Sequence, residues 1–423
     1  MYMVTHKMKC LQILIFNLEI FILMIIITIF VENVLKIKFQ IHRGTKEIGG
    51  SCVEIWTKST RIIVDFGMPL VNPDKTKFDQ RSIQDLKIEE LIKKGVLPDI
   101  KGLYDGTTQT SLILSHAHQD HFGLLKYANK KILIYLGQAT QKLIELTNIF
   151  TNQDCGISNP QHFESGKSFV IGDIEITPYL MDHSAFDTYA FLIKADGKSL
   201  FYSGDFRMHG RKSKVFEWFS HNIEKNVDYL LLEGTTIGRV NGHPLSETDI
   251  EKEFVKTFKK DKGINLIYTS GQNIDRLVSI YRACKRTGEI LAIDFYIANV
   301  LKELSKFGGI PYPSMSFPKI KVFFPYRLSR MISNQGNQKL LYQFKNFKIT
   351  KEQIDDQFEK IVMIVRPSML KDLSYTFAYC QCFNPCFSGY GIQTMHGFWK
   401  RYPAMSFNPC FSGYGIQTPG QKH

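Results

Sequence analysis

The segment Ser115–Gly123 constrains the fold and chemistry of this chain more than any other stretch. Three histidines and one carboxylate fall within six positions, directly after the apolar run Ser111–Leu114, which predicts a short buried strand. In an extended segment, side chains two positions apart point to the same side, so His116 and His118 can converge on one metal ion. Imidazole and carboxylate groups are the ligands that zinc prefers where a site stays open to water, so the segment predicts a metal centre.

Asp120 and His121 lie where the residues from Phe122 onwards predict the beginning of a helix. These two side chains are therefore expected to face a second metal position beside the first. The alternative interpretation is a polar loop that merely holds several histidines. The density of the motif, the strand before it and its distant partners make that alternative the weaker one.

The distant partners are His183, Asp205 and Glu233, each of which follows a strand-like apolar run. Each alone is a weak signal, because a single histidine or acid near a strand end is often only solvated or hydrogen-bonded. Together they supply a two-metal site, in which two ions about 3.5–4 Å apart activate a hydroxide and stabilise the attacking and leaving oxygens of a phosphodiester. The expected arrangement is His116, His118 and His183 on the first ion, Asp120 and His121 on the second, and Asp205 as the bridge.

The pattern around these residues predicts an α/β fold. Strand-like runs with two-residue turns at Gly172-Asp173 and Asp196-Gly197 indicate a sheet-on-sheet core with helices outside. From residue 241 onwards, strands and helices alternate at a spacing that is typical of a parallel α/β unit. The expected domains are a hydrophobic extension (1–34), a first catalytic domain (35–240), an inserted domain (241–377) and a repeat-containing tail (378–423) that is expected to be disordered.

Five further motifs, together with the His-rich run, resemble the metallo-β-lactamase superfamily, and in particular its β-CASP branch close to ribonuclease J-type enzymes. The resemblance covers about residues 35–370. The His-rich run alone specifies only the superfamily, whereas Glu233 in its Leu-Glu-Gly-Thr-Thr setting is similar to the motif that separates β-CASP nucleases from lactamases, lactonases and thioesterases. The five motifs are GTKEIGG (44–50), VDFGMP (64–69), DHSA (182–185), SGDFR (203–207) and LEGTT (232–236).

The resemblance implies an αββα metallo-β-lactamase sandwich with an inserted Rossmann-like β-CASP domain, incomplete at the C-terminus. It also implies two zinc ions and cleavage of RNA, or alternatively DNA, by a metal-bound hydroxide that attacks phosphorus. Catalytic roles are implied for Asp120 and Glu233. The mode of cleavage, exonuclease or endonuclease, and the oligomeric state cannot be read from the sequence.

The family normally has two later histidines, one in a Ser-Gly-His setting at the scissile phosphate and one that completes the second metal site. After His243 this chain has only His396 and His423, so the second site is expected to lack a ligand and the activity to be severely reduced. Two alternatives remain open. One is a hydrolase of small thioesters or lactones, and the other is a catalytically silent remnant that binds nucleic acid.

Residues 11–31 form an apolar run that is long enough to span a bilayer, although Glu19 is costly there. Positive charges after the run would leave the catalytic domain in the cytoplasm, anchored to the membrane. The alternative is upstream sequence read from too early a start. Four cysteines, Cys10, Cys52, Cys155 and Cys284, are scattered without a pairing pattern and are expected to be free thiols of a reducing compartment.

The chain carries 53 Lys and Arg residues against 40 Asp and Glu residues, a formal net charge of +13. Such a charge attracts polyanions, and RNA is the expected partner, with DNA as the second choice. A genome-wide compositional bias would produce the same balance, and the charge by itself does not decide between the two explanations.

The tail contains the same twelve residues twice, at 383–394 and at 407–418, separated by twelve unrelated residues. Packed structural repeats tolerate substitution and run longer, so identical copies at this spacing favour another origin. We hypothesise that the reading frame has run into an array of direct DNA repeats and that the chain is truncated. Sequencing the DNA beyond the stop codon should reveal further repeats of the same period, and their absence would rule the hypothesis out.

Overall fold

The structure is a computed structural model that describes residues 37–45, 47–72, 74–235, 244–260, 263–366, 369, 372 and 392–394. In this part of the chain the strands form three sheets. The strands are β1 Lys38–Arg43, β2 Cys52–Trp56, β3 Arg61–Val64, β4 Ser111–Ile113, β5 Leu133–Leu136, β6 Pro160–His162, β7 Phe169–Ile171, β8 Ile174–Leu180, β9 Tyr189–Ala195, β10 Lys198–Tyr202, β11 Tyr229–Leu231, β12 Asn265–Tyr268, β13 Ile290–Asp294, β14 Ile320–Phe323, β15 Ile361–Val365 and β16 Ile392–Thr394.

The α-helices cover the outer faces of these sheets and are joined by short 3₁₀ turns. The helices are α1 Ile88–Lys93, α2 Gln119–Phe122, α3 Gln138–Thr151, α4 Ser213–Asn222, α5 Glu247–Lys260, α6 Ile274–Thr287, α7 Phe295–Leu304, α8 Tyr326–Asn334, α9 Lys339–Tyr342 and α10 Lys351–Asp356, with 3₁₀ turns at Gln80–Ile83, Leu125–Tyr127, Lys345–Phe347 and Phe358–Lys360.

The first two sheets pack face to face. One has the order β1-β2-β3-β4-β5-β6, and the other has the order β11-β10-β9-β8-β7. Side chains alternate between the two faces of a strand, so in β3 Ile62 and Val64 join the core between the sheets while Ile63 packs toward the helices. The buried strands therefore read as continuous apolar runs. Helix α4 covers the outer face of the second sheet through Phe219, which completes an αββα sandwich.

The third sheet lies in the region that was predicted to be an inserted domain, which is called the insert below. Its order is β14-β13-β15-β12-β16. Its strands are parallel apart from β16, which pairs antiparallel with β12. Helix α5 packs on it through Ile250, Phe254 and Phe258, which recur every four residues and are all buried. The predicted α/β fold, with a sheet-on-sheet core, is confirmed.

One continuous apolar core joins the sandwich to the insert. The ring of Phe150, at the end of α3, lies 5.5 Å from that of Phe295 and 4.9 Å from that of Tyr296, both at the start of α7. Phe295 is fully buried. The two units therefore share packed side chains, and the insert has a defined position relative to the strand ends of the sandwich.

The prediction of a membrane-anchored protein is corrected here. No helix among the residues that the structure describes is both long and apolar enough to cross a membrane. The apolar run 11–31, on which that prediction rested, lies outside the described residues, as does the tail apart from Ile392–Thr394. Cys52, Cys155 and Cys284 are free thiols, as expected, and Cys10 also lies outside the described part.

Candidate metal centre

The His-rich segment leaves strand β4 and turns into the four-residue helix α2. His116 follows the strand, His118 is the N-cap residue of α2, and Asp120 and His121 lie within the helix. His116 is fully buried and His121 is 2% exposed, so the segment turns its imidazoles inward at the rim of the sandwich. His183 enters from the loop after β8, and Asp205 enters from the loop after β10.

These side chains form two groups of metal-binding atoms that share His116. His116, His118 and His183 each offer a nitrogen, and the three atoms lie within 4.8 Å of one another. His116, His121 and Asp205 form the second group under the same limit. The structure thus brings together residues that are far apart in the chain, up to 89 positions from His116 to Asp205. No local sequence pattern specifies the distances between these side chains.

The second group differs from the predicted one. The sequence assigned Asp120 and His121 to the second ion, but the Asp120 carboxylate stands outside both groups, with its Oδ2 3.9 Å from His121 Nε2. Asp205 lies between the two sets of imidazoles, since its Oδ1 is 3.3 Å from His121 Nε2 and its Oδ2 is 3.9 Å from His183 Nε2. This position suits the bridging role that the sequence pattern predicted for Asp205.

The buried imidazoles fit a cation. His116 Nε2 is buried and has no hydrogen-bond partner among the described residues, whereas its Nδ1 lies 3.0 Å from Ser115 Oγ. A buried polar atom without a partner costs free energy, which a bound metal would offset. Burial, followed by the neighbouring imidazoles, lowers the pKa of His116 well below its ordinary value, so the ring is neutral and ready to bind a metal.

The carboxylate of Asp65 holds this arrangement in place. It is fully buried and accepts hydrogen bonds from Ser115 N (2.7 Å), Ser115 Oγ (2.8 Å) and Tyr202 OH (2.7 Å), and it pairs with His121 Nδ1 at 2.7 Å. Because Nδ1 of His121 faces Asp65, the opposite nitrogen Nε2 is directed toward Asp205. A carboxylate behind a metal-binding histidine sets the ring orientation and raises its basicity.

Electrostatics at His121 and Asp205 follow from their contacts. Burial lowers the pKa of His121, but the carboxylates of Asp205, Asp65 and Asp120 outweigh burial and raise it well above its ordinary value. Burial raises the pKa of Asp205, but His121, His183 and His118 together bring it below the usual range for a carboxyl group. Negative charge is therefore concentrated where a cation would bind.

The backbone after β3 packs directly against helix α2. Phe66 N donates to His121 O (2.7 Å) and Met68 N donates to Gln119 O (2.9 Å). Gly67 lies between them, and a Cβ atom there would lie 1.6 Å from the carbonyl oxygen of Asp120. Only glycine lets the backbone at position 67 pack this closely against helix α2. The VDFGMP motif therefore has a steric function that the family resemblance did not indicate.

Glu233 supports the loop that carries Asp205. Its Oε1 accepts a hydrogen bond from Phe206 N (2.9 Å), and its Oε2 accepts one from Thr235 Oγ1 (2.5 Å). Burial, and then the charge of Asp205, raise the pKa of Glu233. The contacts show a residue that fixes the backbone next to a candidate ligand, and its predicted catalytic role remains a prediction.

A second set of contacts ties the His183 loop to the Asp205 loop. Asp182 is fully buried and accepts hydrogen bonds from Gly210 N (2.8 Å) and Lys212 N (3.3 Å). The ammonium group of Lys212 donates to three carbonyl oxygens that follow the histidine, those of His183 (3.1 Å), Ala185 (2.8 Å) and Phe186 (3.2 Å). The two loops therefore hold each other in position.

The insert reaches the same loops through ion pairs. Arg207, two residues after Asp205, pairs with Asp275 on α6 at 2.5 Å. Arg211 pairs with Glu251 on α5 at 2.5 Å. The predicted site residues did not include Asp65, Asp182, Lys212 or these pairs. Only Asp65 had a local signal in the sequence, because it is an acid directly after the apolar run of β3. The ion pairs depend on how the two units pack.

Comparison with known proteins agrees with this geometry. The family model described as Beta-lactamase superfamily domain matches residues 104–249, which include every candidate metal ligand. Ribonuclease J of Mycoplasma pneumoniae is 23% identical over 244 residues, which cover 56% of this chain and 40% of that protein. Ribonuclease J of Helicobacter pylori (strain ATCC 700392 / 26695) is 25% identical over 285 residues, which cover 65% of this chain and 39% of that protein.

The region that carries the candidate ligands matches the Beta-lactamase superfamily domain, and the chain is similar to ribonuclease J proteins, which confirms the resemblance drawn from its motifs. The matched region spans about two fifths of the length of these curated relatives. Transcription termination factor FttA of Methanothermobacter thermautotrophicus is a further relative, 23% identical over 287 residues, which cover 62% of this chain and 42% of that protein.

The fold is shared with a solved structure of similar size. A protein of unknown function from Enterococcus faecalis V583 superposes with a TM-score of 0.62 and 20% sequence identity, over 78% of this chain and 77% of that one. At this identity the likeness concerns the fold alone.

Replacing Asp65 by asparagine should weaken metal binding about 10- to 100-fold, because the carboxylate that orients His121 would be lost. Asparagine tolerates the positive φ of 59° at this position, so the backbone should be retained. Zinc affinity measured by competition with a chelator tests this. The matched control is Asp154→Asn, an exposed carboxylate paired with Lys130, and equal affinities in both variants would contradict the role of Asp65.

Gly67→Ala should displace helix α2, because the new methyl group would overlap the Asp120 carbonyl at 1.6 Å. We expect a loss of stability of about 1–3 kcal/mol, as for overpacked cores, together with weaker zinc binding. Gly309→Ala is the control, since nothing lies within 4 Å of a Cβ there. Chemical denaturation and metal titration of both variants provide the measurement, and wild-type behaviour of Gly67→Ala would refute the steric argument.

Proposed function

We propose that this protein is a zinc-dependent nuclease that hydrolyses RNA phosphodiester bonds. The observation that carries the proposal is the pair of donor groups that share His116, whose Nε2 is buried without a partner among the described residues. The ribonuclease J relatives supply the substrate class. The net charge of +13 agrees with a polyanionic substrate.

His116, His118 and His183 would hold one ion, and His121 and Asp205, with the shared His116 beside them, would hold a second. When bound, the metal would supply Lewis acidity that lowers the proton affinity of water and stabilises charge on phosphate oxygens. The protein's own residues position these groups. Asp65 directs His121, and Glu233 fixes the backbone after Asp205.

Asp120 is the candidate proton acceptor. Its side chain is 20% exposed, and it stands beside the donor groups rather than within either of them. A carboxylate at the rim of such a site can take a proton from an attacking water at Oδ2. We therefore propose a catalytic role for Asp120 and a positioning role for Glu233.

The position of the insert favours a nuclease over a hydrolase of small thioesters or lactones. A small-molecule enzyme has no need of the insert, and its insert could pack away from the metal centre. Here Asp275 and Glu251 of the insert bind Arg207 and Arg211, two and six residues after Asp205. A unit that contacts the loop of a candidate ligand is placed to shape a cleft for a long substrate.

The purified protein, loaded with zinc, should cleave end-labelled single-stranded RNA, and a chelator should abolish cleavage. His116→Ala should lower the rate by about 10²-fold or more, because a ligand common to both donor groups is lost. His221→Ala, an exposed histidine on α4, is the control. The reduced activity that we expect from the absent family histidines remains a prediction, to be measured against an intact relative.

Each alternative corresponds to a distinct outcome of this assay. Hydrolysis of a thioester or lactone that depends on His116, without RNA cleavage, would identify a small-molecule hydrolase. RNA binding without zinc in elemental analysis would identify a catalytically silent binder. Either outcome would overturn the proposed nuclease.

A further inference from the structure

A surface groove lies between helix α8 of the insert and the end of helix α3 of the sandwich. Its volume is about 680 Å³, and none of the candidate metal ligands lines it. A second depression of about 520 Å³ adjoins it and shares Asn152. The two depressions therefore meet at Asn152. The nuclease mechanism proposed above makes no use of this surface, which is called the α8 groove below.

The sequence of α8 produces the charged side of the groove. Arg327, Arg330 and Asn334 recur at spacings of three and four, so they share one face of the helix, and all three are exposed. Ile332 is fully buried and packs on the opposite side. Helix α8 is therefore amphipathic, and its outward face presents two guanidinium groups side by side.

Among the described residues, Arg327 and Arg330 form no ion pair, unlike Arg276 and Arg366 of the same unit, which pair with buried carboxylates. The nearby carboxylates are engaged. Asp154, in the adjoining depression, pairs with Lys130 at 2.9 Å, and the Asp372 carboxylate accepts a hydrogen bond from Tyr326 N at 2.6 Å. Lys126 adds a further positive charge to the adjoining depression.

An aromatic ring and amide groups stand beside the two arginines. Tyr326 is 69% exposed, so a face of its ring is open for stacking. Gln335 Nε2 donates to Ile149 O (3.2 Å) and Asn152 Oδ1 (2.9 Å), which fixes the end of α8 to the end of α3. The groove is therefore held open by contacts within the protein and needs little reorganisation to bind a ligand.

We propose that the α8 groove binds single-stranded RNA at a site separate from the metal centre. Arg327 and Arg330 contact successive phosphates, for which the planar guanidinium is the preferred donor, and Tyr326 stacks on a base. Cations that follow a phosphate backbone beside an exposed aromatic ring are the usual composition of surfaces for single strands. An acidic protein would use the charges but would leave the ring without a partner. The choice of RNA rests on the proposed function.

Binding is measured with the full chain in EDTA, so that the affinity for a fluorescent 20-nucleotide single strand is independent of cleavage. The double variant Arg327→Gln, Arg330→Gln should bind the RNA about tenfold more weakly or worse. The slope of log affinity against log salt concentration should fall by about the amount expected for two lost phosphate contacts. Tyr326→Ala should weaken binding several-fold and leave the salt dependence unchanged. The matched control is Lys259→Gln with Lys260→Gln, which removes two exposed charges from the end of α5.

Polyglutamate serves as a second probe, in place of an acidic protein. The proposal would be overturned if the double arginine variant kept its RNA affinity or if the lysine control lost as much affinity. It would also be overturned if the double arginine variant lost binding to polyglutamate but not to RNA. The last result would identify the groove as a surface for an acidic protein. Because EDTA prevents catalysis, RNA binding by the groove can be tested even if the nuclease assay fails. If the wild type cleaves RNA but the variants bind it as well as the wild type does, the groove proposal is wrong and the proposed nuclease stands.

Discussion

The buried carboxylate of Asp65 is the contact on which the rest of this structure depends. It accepts hydrogen bonds from Ser115, at the end of a strand in the first sheet, and from Tyr202, on a strand of the second sheet, and it faces the Nδ1 atom of His121. A buried charge with several partners is costly to disturb, because removing one partner leaves the others unsatisfied. One side chain therefore joins the two sheets at their rim and orients a candidate metal ligand.

The metal centre is supported from two further directions. The His183 and Asp205 loops are cross-linked by Asp182 and Lys212, and the insert reaches the second loop through Arg207. The insert is thus part of the framework of the site, and any movement of its helices would be transmitted to the loop that carries Asp205. This coupling gives a physical reason for the association of the two units in one chain.

Local signals in the sequence predicted the strands and turns well. The hairpins at Gly172-Asp173 and Asp196-Gly197 are confirmed, since Ile171 pairs with Ile174 and Ala195 with Lys198. Both central residues of the second turn have positive φ, 52° and 76°, which is what a type I′ hairpin turn requires. Helices were less well delimited. The run 83–94 has a helix-like pattern of apolar residues, but in the structure it holds the end of a 3₁₀ turn at Gln80–Ile83 and the short helix Ile88–Lys93.

The sequence by itself determined which residues could bind a metal, because strands that end in histidine or carboxylate bring those side chains to one edge of a sheet. Only the tertiary structure decided how they group. Asp120 stands apart while Asp205 lies between His121 and His183, and Asp65 lies 137 positions from its partner Tyr202. Separations of this length are set by how the two sheets pack on each other, and no pattern within a single strand or helix encodes them.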